Sequence, residues 1–410
     1  MKVEQMALLA ASAVSIHAMD YSFRLNGGLS GTRQLPSGVS TSTYLYNAVS
    51  SAEVLQEWYN ATTGLYRTAG WWQSANCIQV LADLTEVAPL LRLRTDGIVS
   101  NTFTNAQTFN LKEIKSNGTT SCIWDTCPDS TPGVEPKGFL NGFYDDEGWW
   151  ALAWLKVYDI GRNGTYLRTA QDLFEDMLAT GYNATCGGVW WDRDRTYHSA
   201  IANELFLSLA AHLSNRVPAL RSYYLQWALR QWDFFQQSGL INANNTINDG
   251  LDPTTCTNNN GTVYTYNQGV ILGGLVELAR ADPTATCLYL EAARNIASAA
   301  IAALTDRNGV LHEPGEPDIS GDGLQFKGIF LRNVQTLIAA LPSDDFAARE
   351  YLRFARVNAD SIWKHAREPW MGRLGPVWSG PYREAGASSH SSAMDALIAA
   401  AAHAARLAEE

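Results

Sequence analysis

The chain has 410 residues, of which 46% are hydrophobic and 17% charged, with 14 tryptophans and a formal net charge of −11. Enough apolar surface is present for a large core, which excludes a disordered or fibrous chain. The acidic balance leaves no concentrated Lys/Arg patch to hold phosphates, so nucleic acid is excluded as a partner.

In chain order, the first feature is Lys2 followed by an apolar run from Met6 to Ile16 and the small-residue ending Ile16-His17-Ala18. This is the layout of an export signal, so residues 1–18 are read as a signal peptide and 19–410 as the mature chain. The run falls short of the roughly 20 residues a membrane span needs, and no other part of the chain comes closer. A soluble monomer without a stable membrane anchor is expected, secreted to the extracellular space or the cell wall. Six Asn-x-Ser/Thr sequons, at Asn60, Asn117, Asn163, Asn183, Asn244 and Asn260, fit a secretory route in which the protein becomes a glycoprotein. The six cysteines, Cys77, Cys122, Cys127, Cys186, Cys256 and Cys287, form an even set suited to disulfides in an oxidising compartment. Cys122 and Cys127 are near enough to close a small loop, and spacing does not fix the pairing.

Apolar periodicity predicts twelve helices, near residues 43–60, 71–88, 99–115, 146–160, 164–180, 197–213, 217–238, 266–281, 284–304, 325–340, 343–366 and 388–407. They are of two kinds. The fifth carries one apolar stripe (Leu167, Ala170, Leu173, Phe174, Met177) and one wet face, whereas the fourth, from Asp146 to Ile160, is apolar all round. The even-numbered helices form the more apolar or Ala/Gly-rich set and are assigned to an inner layer. Links from an inner helix to the next outer one are short, as at Gly161–Asn163 and Asp282–Pro283. Links from an outer helix to the next inner one are long, at 116–145, 181–196, 239–265, 305–324 and 367–387. Successive helices run antiparallel, so the long links share one end, where function concentrates. The fold class expected is all-α: an (α/α)6 barrel in a single domain, with a two-domain helical arrangement or an open solenoid as the competing architecture.

In that barrel the inner-helix N-termini converge on one cavity. The segments entering it supply Trp71, Trp72, Tyr144, Trp190, Trp191, Tyr266, Asn267, Gln268, Lys327 and Trp378, all taken as candidate substrate-binding residues, and the acidic run Asp145-Asp146-Glu147. Aromatic faces stack on sugar rings while amides, Lys and carboxylates bind hydroxyls, which points to a polysaccharide. Asp145 as an N-cap, with Asp146 and Glu147 favoured by the helix dipole, would explain why acids are tolerated there. It does not explain why adjacent acids face an aromatic cavity. Retaining glycoside hydrolysis does: it needs one ionised and one protonated carboxyl about 5 to 5.5 Å apart, and proximity drives their pKa values apart. Asp145 and Asp146 are therefore the candidate catalytic residues.

Other chemistries find no motif. The seven histidines form no HExxH or metal-spaced pair, and no GxSxG, P-loop or GxGxxG occurs. No cofactor and no metal is expected. Asp318-Ile-Ser-Gly-Asp-Gly has only a faint calcium-loop look, without spaced acidic ligands.

The segments YDDEGWWALAWLKVYD, GGVWWDRDRTYHSAIANELF, YNQGV and QFKGIF closely resemble glycoside hydrolase family 76, the α-1,6-mannanases, over about Tyr44 to Leu407. The resemblance implies an (α/α)6 barrel, Asp145 as nucleophile, Asp146 as general acid/base, and retaining cleavage within an α-1,6-linked mannan backbone. A fungal branch of the family resembles cell-wall transglycosylases tethered by a glycolipid anchor. The ending AAHAARLAEE has no hydrophobic anchor signal, so a free secreted hydrolase is the expectation. A transglycosylase and a non-catalytic glycan-binding protein are the alternatives.

Overall fold

The computed structural model describes residues 41–108, 114–116, 121–123, 138–182 and 186–403. The expected signal segment, Asn117, Asn183 and Cys127 lie outside the described residues. Among the described residues, twelve α-helices account for the architecture: α1 (Thr41–Leu55), α2 (Trp71–Val87), α3 (Arg92–Asn105), α4 (Tyr144–Gly161), α5 (Gly164–Asp176), α6 (Ala200–Arg216), α7 (Arg221–Gln237), α8 (Thr265–Ala281), α9 (Thr286–Leu304), α10 (Gly323–Ala340), α11 (Phe346–Ser361) and α12 (Ala387–Ala402). The even-numbered helices touch in the cyclic order α2, α4, α6, α8, α10, α12 and back to α2. That closed ring, with the odd-numbered helices outside it, is an (α/α)6 barrel.

The two kinds of helix follow from their side chains. Outer α5 buries Ala170, Leu173, Phe174 and Asp176 along one face, whereas inner α8 and α12 are buried on nearly every side. Small residues set how closely the inner helices approach. A Cβ on Gly269 would sit 2.7 Å from the Phe330 Cα across the α8–α10 contact, and one on Gly328 would meet the Ser392 Cα at 2.5 Å across α10–α12. Outside the closed ring, α1 packs on α12. His390 of α12 accepts the Leu374 amide at Nδ1 (3.0 Å), and its Nε2 lies 2.9 Å from the Ser51 carbonyl of α1. Burial pushes this imidazole down to about 4, so it is neutral and Nε2 carries the donated proton.

Two sequence expectations need correction. The third helix spans Arg92–Asn105, not 99–115: it buries only Val99 and Thr102 and leaves Leu93 88% exposed, so it lacks the stripe that periodicity detects. Residues 114–116 instead pair with 121–123 as a short antiparallel ribbon. Also, α9 at 19 residues is long and apolar enough by composition to cross a membrane. Here it is an outer helix lying on α8, burying Tyr289, Ala293, Ile296, Ala297 and Ala300.

The C-terminal halves of the inner helices line a cavity of about 500 Å³ at the opposite mouth. Ion pairs of Lys156 with Asp83 and Glu86, and of Arg216 with Asp159 and Glu277, gird it at 2.6–2.9 Å.

Candidate active site

The acidic run begins α4. Residues 141–143 lie antiparallel to 191–193: Tyr144 N–H donates to the Trp191 carbonyl (2.9 Å) and Arg193 N–H to that of Gly142 (3.0 Å). This pairing brings the Trp191 indole over the helix start, where Nε1 donates to Asp145 Oδ2 at 3.1 Å. Asp145 Oδ1 is buried without a hydrogen-bond partner. Asp146 Oδ2 accepts from the Asn141 side-chain amide, whose own Oδ1 accepts the Phe143 N–H at 2.8 Å. The N-cap is Phe143, with no side-chain cap, so Asp145 is in the first turn and does not act as the cap considered from sequence.

The two carboxyls sit in different electrostatic settings. Burial pushes Asp145 up to about 7, opposed by the Trp191 N–H and the nearby backbone N–H groups, which favour its charged form. Burial pushes Asp146 well above the ordinary carboxylate range, and the Asp145 charge adds to the effect. Asp322 raises both. Of the pair, Asp145 gives up its proton first.

Glu147 has a different task. Fully buried, it pairs with the Arg193 guanidinium, which also holds Asp176 at 2.6 Å, Thr180 Oγ1 at 3.0 Å and the Asn141 carbonyl at 2.8 Å. The same guanidinium lies 4.8 Å from the centre of the Tyr144 ring. Arg193 therefore ties the α4 entry to α5 and fixes the loop whose Asn141 holds Asp146.

Beside the acids runs an aromatic stack: Trp72 on Trp149 (5.4 Å between centroids), Trp149 by Tyr266 (6.4 Å) and Tyr266 on Phe326 (3.7 Å). Trp72 Nε1 donates to Asp322 Oδ1 at 3.1 Å. The Tyr266 phenol is held well above its usual range by burial and by the charges of Asp249, Asp145, Glu204 and Asp322, so four acids surround it. Glu204 is fully buried with neither oxygen hydrogen-bonded.

Of the residues nominated from sequence, Asp145, Asp146, Trp191, Trp72 and Tyr266 come together here. Asn267 lies buried on α8 with both amide atoms unpartnered. The others are packed elsewhere, because their polar atoms are satisfied by the scaffold or their rings by neighbouring side chains. Trp71 donates to the Ala106 carbonyl and packs on Phe139 and Trp150; Tyr144 bonds Thr180; Trp190 stacks on His198 at 3.8 Å. Gln268 bonds the backbone of Ile247 and Tyr264. Lys327 pairs with Glu316 and sits 4.5 Å from the centre of the fully buried Trp378 ring. Sequence reasoning missed Asp322, Asp249, Asn141 and Arg193. Asp322 is the second acid of the run read as a faint calcium loop, yet its place just before an inner helix is the signal that singled out Asp145.

The loop bearing Trp191 is tethered twice to the 239–265 link. His198 and Ser199 pair with Leu251 and Gly250, and Cys186 is disulfide-bonded to Cys256. Closing a 70-residue loop restricts the unfolded chain by about 4 kcal/mol. Replacing Cys186 by Ser should cost about 2–4 kcal/mol in urea unfolding; a loss under about 1 kcal/mol would show that strand pairing alone holds these loops. Cys77 (buried) and Cys287 (exposed) are free thiols.

Known proteins share this fold. The description "Glycosyl hydrolase family 76" matches residues 41–409. Among curated relatives, mannan endo-1,6-alpha-mannosidase DFG5 of Saccharomyces cerevisiae is 24% identical over 244 residues, 54% of this chain and 47% of its own. The corresponding DCW1 of Candida albicans is 29% identical over 151 residues, 33% of this chain and 32% of its own. The matched part thus spans a third to a half of these relatives' length. Among solved structures, an inactive α-1,6-mannanase variant from Salegentibacter sp., two aspartates replaced by asparagine, in complex with α-1,6-mannotriose, aligns with a TM-score of 0.69 at 21% identity, covering 87% of this chain and 99% of that one. Dfg5 of Chaetomium thermophilum, in complex with glucosamine, aligns with a TM-score of 0.71 at 18% identity, covering 90% and 92%. This chain belongs to glycosyl hydrolase family 76.

Proposed function

We propose that this member of glycosyl hydrolase family 76 is a secreted enzyme that cleaves α-1,6-mannosidic bonds inside mannan with retention of configuration. The observation that carries this reading is the pair of adjacent carboxyls in the first turn of α4, one accepting a tryptophan N–H and the other an asparagine amide. In the first step Asp145, ionised, attacks the anomeric carbon while Asp146 protonates the departing glycosidic oxygen, so the C–O bond breaks as a mannosyl ester forms. In the second step Asp146, now a base, takes a proton from water, whose oxygen displaces Asp145. Trp72, Trp191 and Tyr266 supply ring faces for the sugars, and Asp322 and Asp249 supply acceptors for hydroxyls. The signal-like N-terminus, the exposed sequons Asn163, Asn244 and Asn260, and the disulfide support export.

The experiment is incubation with unbranched α-1,6-mannan, sizing of the products and NMR of the first anomer released. Shorter fragments with the α-anomer first are expected; no cleavage, or the β-anomer first, would overturn the reading. A second reading follows from the resemblance to the fungal branch of the family, in which a sugar hydroxyl replaces water in the second step. It predicts products longer than the donor when acceptor oligosaccharides are abundant.

The pH dependence follows from the same pair. Turnover needs Asp145 ionised and Asp146 protonated, so kcat/KM should rise through about pH 7 and fall at higher pH as Asp146 loses its proton. Substituting Trp191→Phe keeps the ring but removes the N–H that favours the Asp145 anion. The acid limb should then move to higher pH, and an unmoved limb would show that Trp191 does not set it.

A further inference from the structure

Helix α11 continues as one wider turn, Ile362–Ala366, into a hairpin whose ends pair at Arg367 and Leu374. Its tip raises Trp370, 91% exposed, beside Met371. Between this hairpin and α1 runs a groove of about 430 Å³ whose walls also include Tyr46 and Trp363. Its floor holds polar atoms left without partners: Ser51, 1% exposed, has an unbonded Oγ, and Arg367, stacked 4.3 Å from the centre of the Trp363 ring, has an unbonded Nε. A fully exposed indole on a hairpin tip and unpaired hydroxyl and N–H groups at the base of an aromatic groove are features of a site, and packing does not explain them.

We infer that this groove is a second, non-catalytic glycan site that grips a distal stretch of the same mannan chain. The inference rests on the proposed substrate for its choice of polymer. The chemistry favours a hydroxyl-bearing ligand over a cation. Both carboxylates of the groove are already held, Glu53 by Arg94 at 3.1 Å and Glu57 by Arg373 at 2.8 Å. What remains is ring faces, a hydroxyl and the Arg367 guanidinium, which suit the C–H face and the oxygens of a pyranose. Location adds to this. The hairpin belongs to the link from α11 to α12, so it stands at the end of the barrel that carries Asp145 and Asp146, but outside the ring, with α12 between. A long polymer crossing the rim can meet both sites, whereas a short one in the barrel mouth meets only the first.

The test compares the parent with Trp370→Ala, whose side chain is too exposed to support the fold, on two substrates and in native gels cast with α-1,6-mannan. On long mannan KM is expected to rise about three- to tenfold with little change in kcat, while kcat/KM on α-1,6-mannotetraose, the short control, stays within twofold. In the gels Trp370→Ala should migrate faster than the parent. Equal migration and equal KM on the polymer would overturn the proposal, as would equal losses on polymer and tetraose. The gel reads binding without turnover, so a parent that is retarded but never cleaves mannan would refute the catalytic reading and leave this one standing. Retardation by β-1,3-glucan or chitin but not by mannan would refute the choice of ligand.

Discussion

Replacing Asp145 or Asp146 with asparagine is expected to lower kcat/KM on unbranched α-1,6-mannan by about 10³-fold or more, the larger of the two losses at Asp145. A positioned general acid contributes about 10²–10⁴-fold, and loss of the nucleophile removes the covalent route itself. The two variants should also fail differently. With an aryl mannoside, whose leaving group needs no protonation, Asp146→Asn should still form the mannosyl ester, and added azide should intercept it. Asp145→Asn should form none. If both variants keep more than a tenth of parent activity, these are not the reacting groups. Stability supplies a control with its own sign. A carboxyl whose folded pKa lies above its unfolded value, about 3.9, holds its proton in the fold. Stability is full below that unfolded value and declines as pH rises toward the folded value, about 7 for Asp145. Asparagine removes this decline, so the Tm advantage of Asp145→Asn over the parent should grow from pH 4 to pH 7. A variant less stable than the parent at pH 7 would mean that the carboxylate is stabilised in ways its surroundings do not reveal.

The second large effect concerns Arg193. Substituting Arg193→Met leaves the buried carboxyls of Glu147 and Asp176 facing each other without their shared cation. Breaking a buried pair by removing one partner costs about 3–5 kcal/mol, here read as a lower urea midpoint at an unchanged slope. Glu147→Gln should cost less, because Arg193 keeps Asp176 and the amide can still accept. The folded fraction of Arg193→Met should also lose activity, since the Asn141 carbonyl held by Arg193 anchors the loop that presents an amide to Asp146. A loss under about 1 kcal/mol would show that the guanidinium is dispensable to the α4 entry.

These two residues mark what could be read in the sequence. Eleven of the twelve helices, and the alternation of the set, were legible, because an inner helix such as Tyr144–Gly161 is apolar all round and an outer one such as Gly164–Asp176 is striped. The exception, α3, buries too little to leave a pattern. The acid pair was legible because three adjacent carboxyls are costly unless used or neutralised. Sequence did not tell which of the three was neutralised, because Arg193 is 46 residues from Glu147. The same limit applies to the aromatic and amide residues. Trp72 and Trp71 are neighbours on one helix, yet one stacks beside the acids and the other packs on Phe139. Lys327 has the residue type of a ligand-binding group, but Glu316 and the Pro376 carbonyl occupy it. Only the packing of α10 against its neighbours separates such cases from Asp322.

The seam where α1 meets α12 bears on how the molecule is made. Ser51 and His390 are 339 residues apart, so the last inner stave, rich in alanine and serine and unable to hide its surface alone, has no complete berth until the whole barrel has been synthesised. Assembly should then be governed by one late, long-range docking event, slow because so much chain must be looped to reach it. Joining the ends at that seam and cutting the chain at a surface link such as Asp282–Pro283 would shift which stave arrives last without altering the finished barrel.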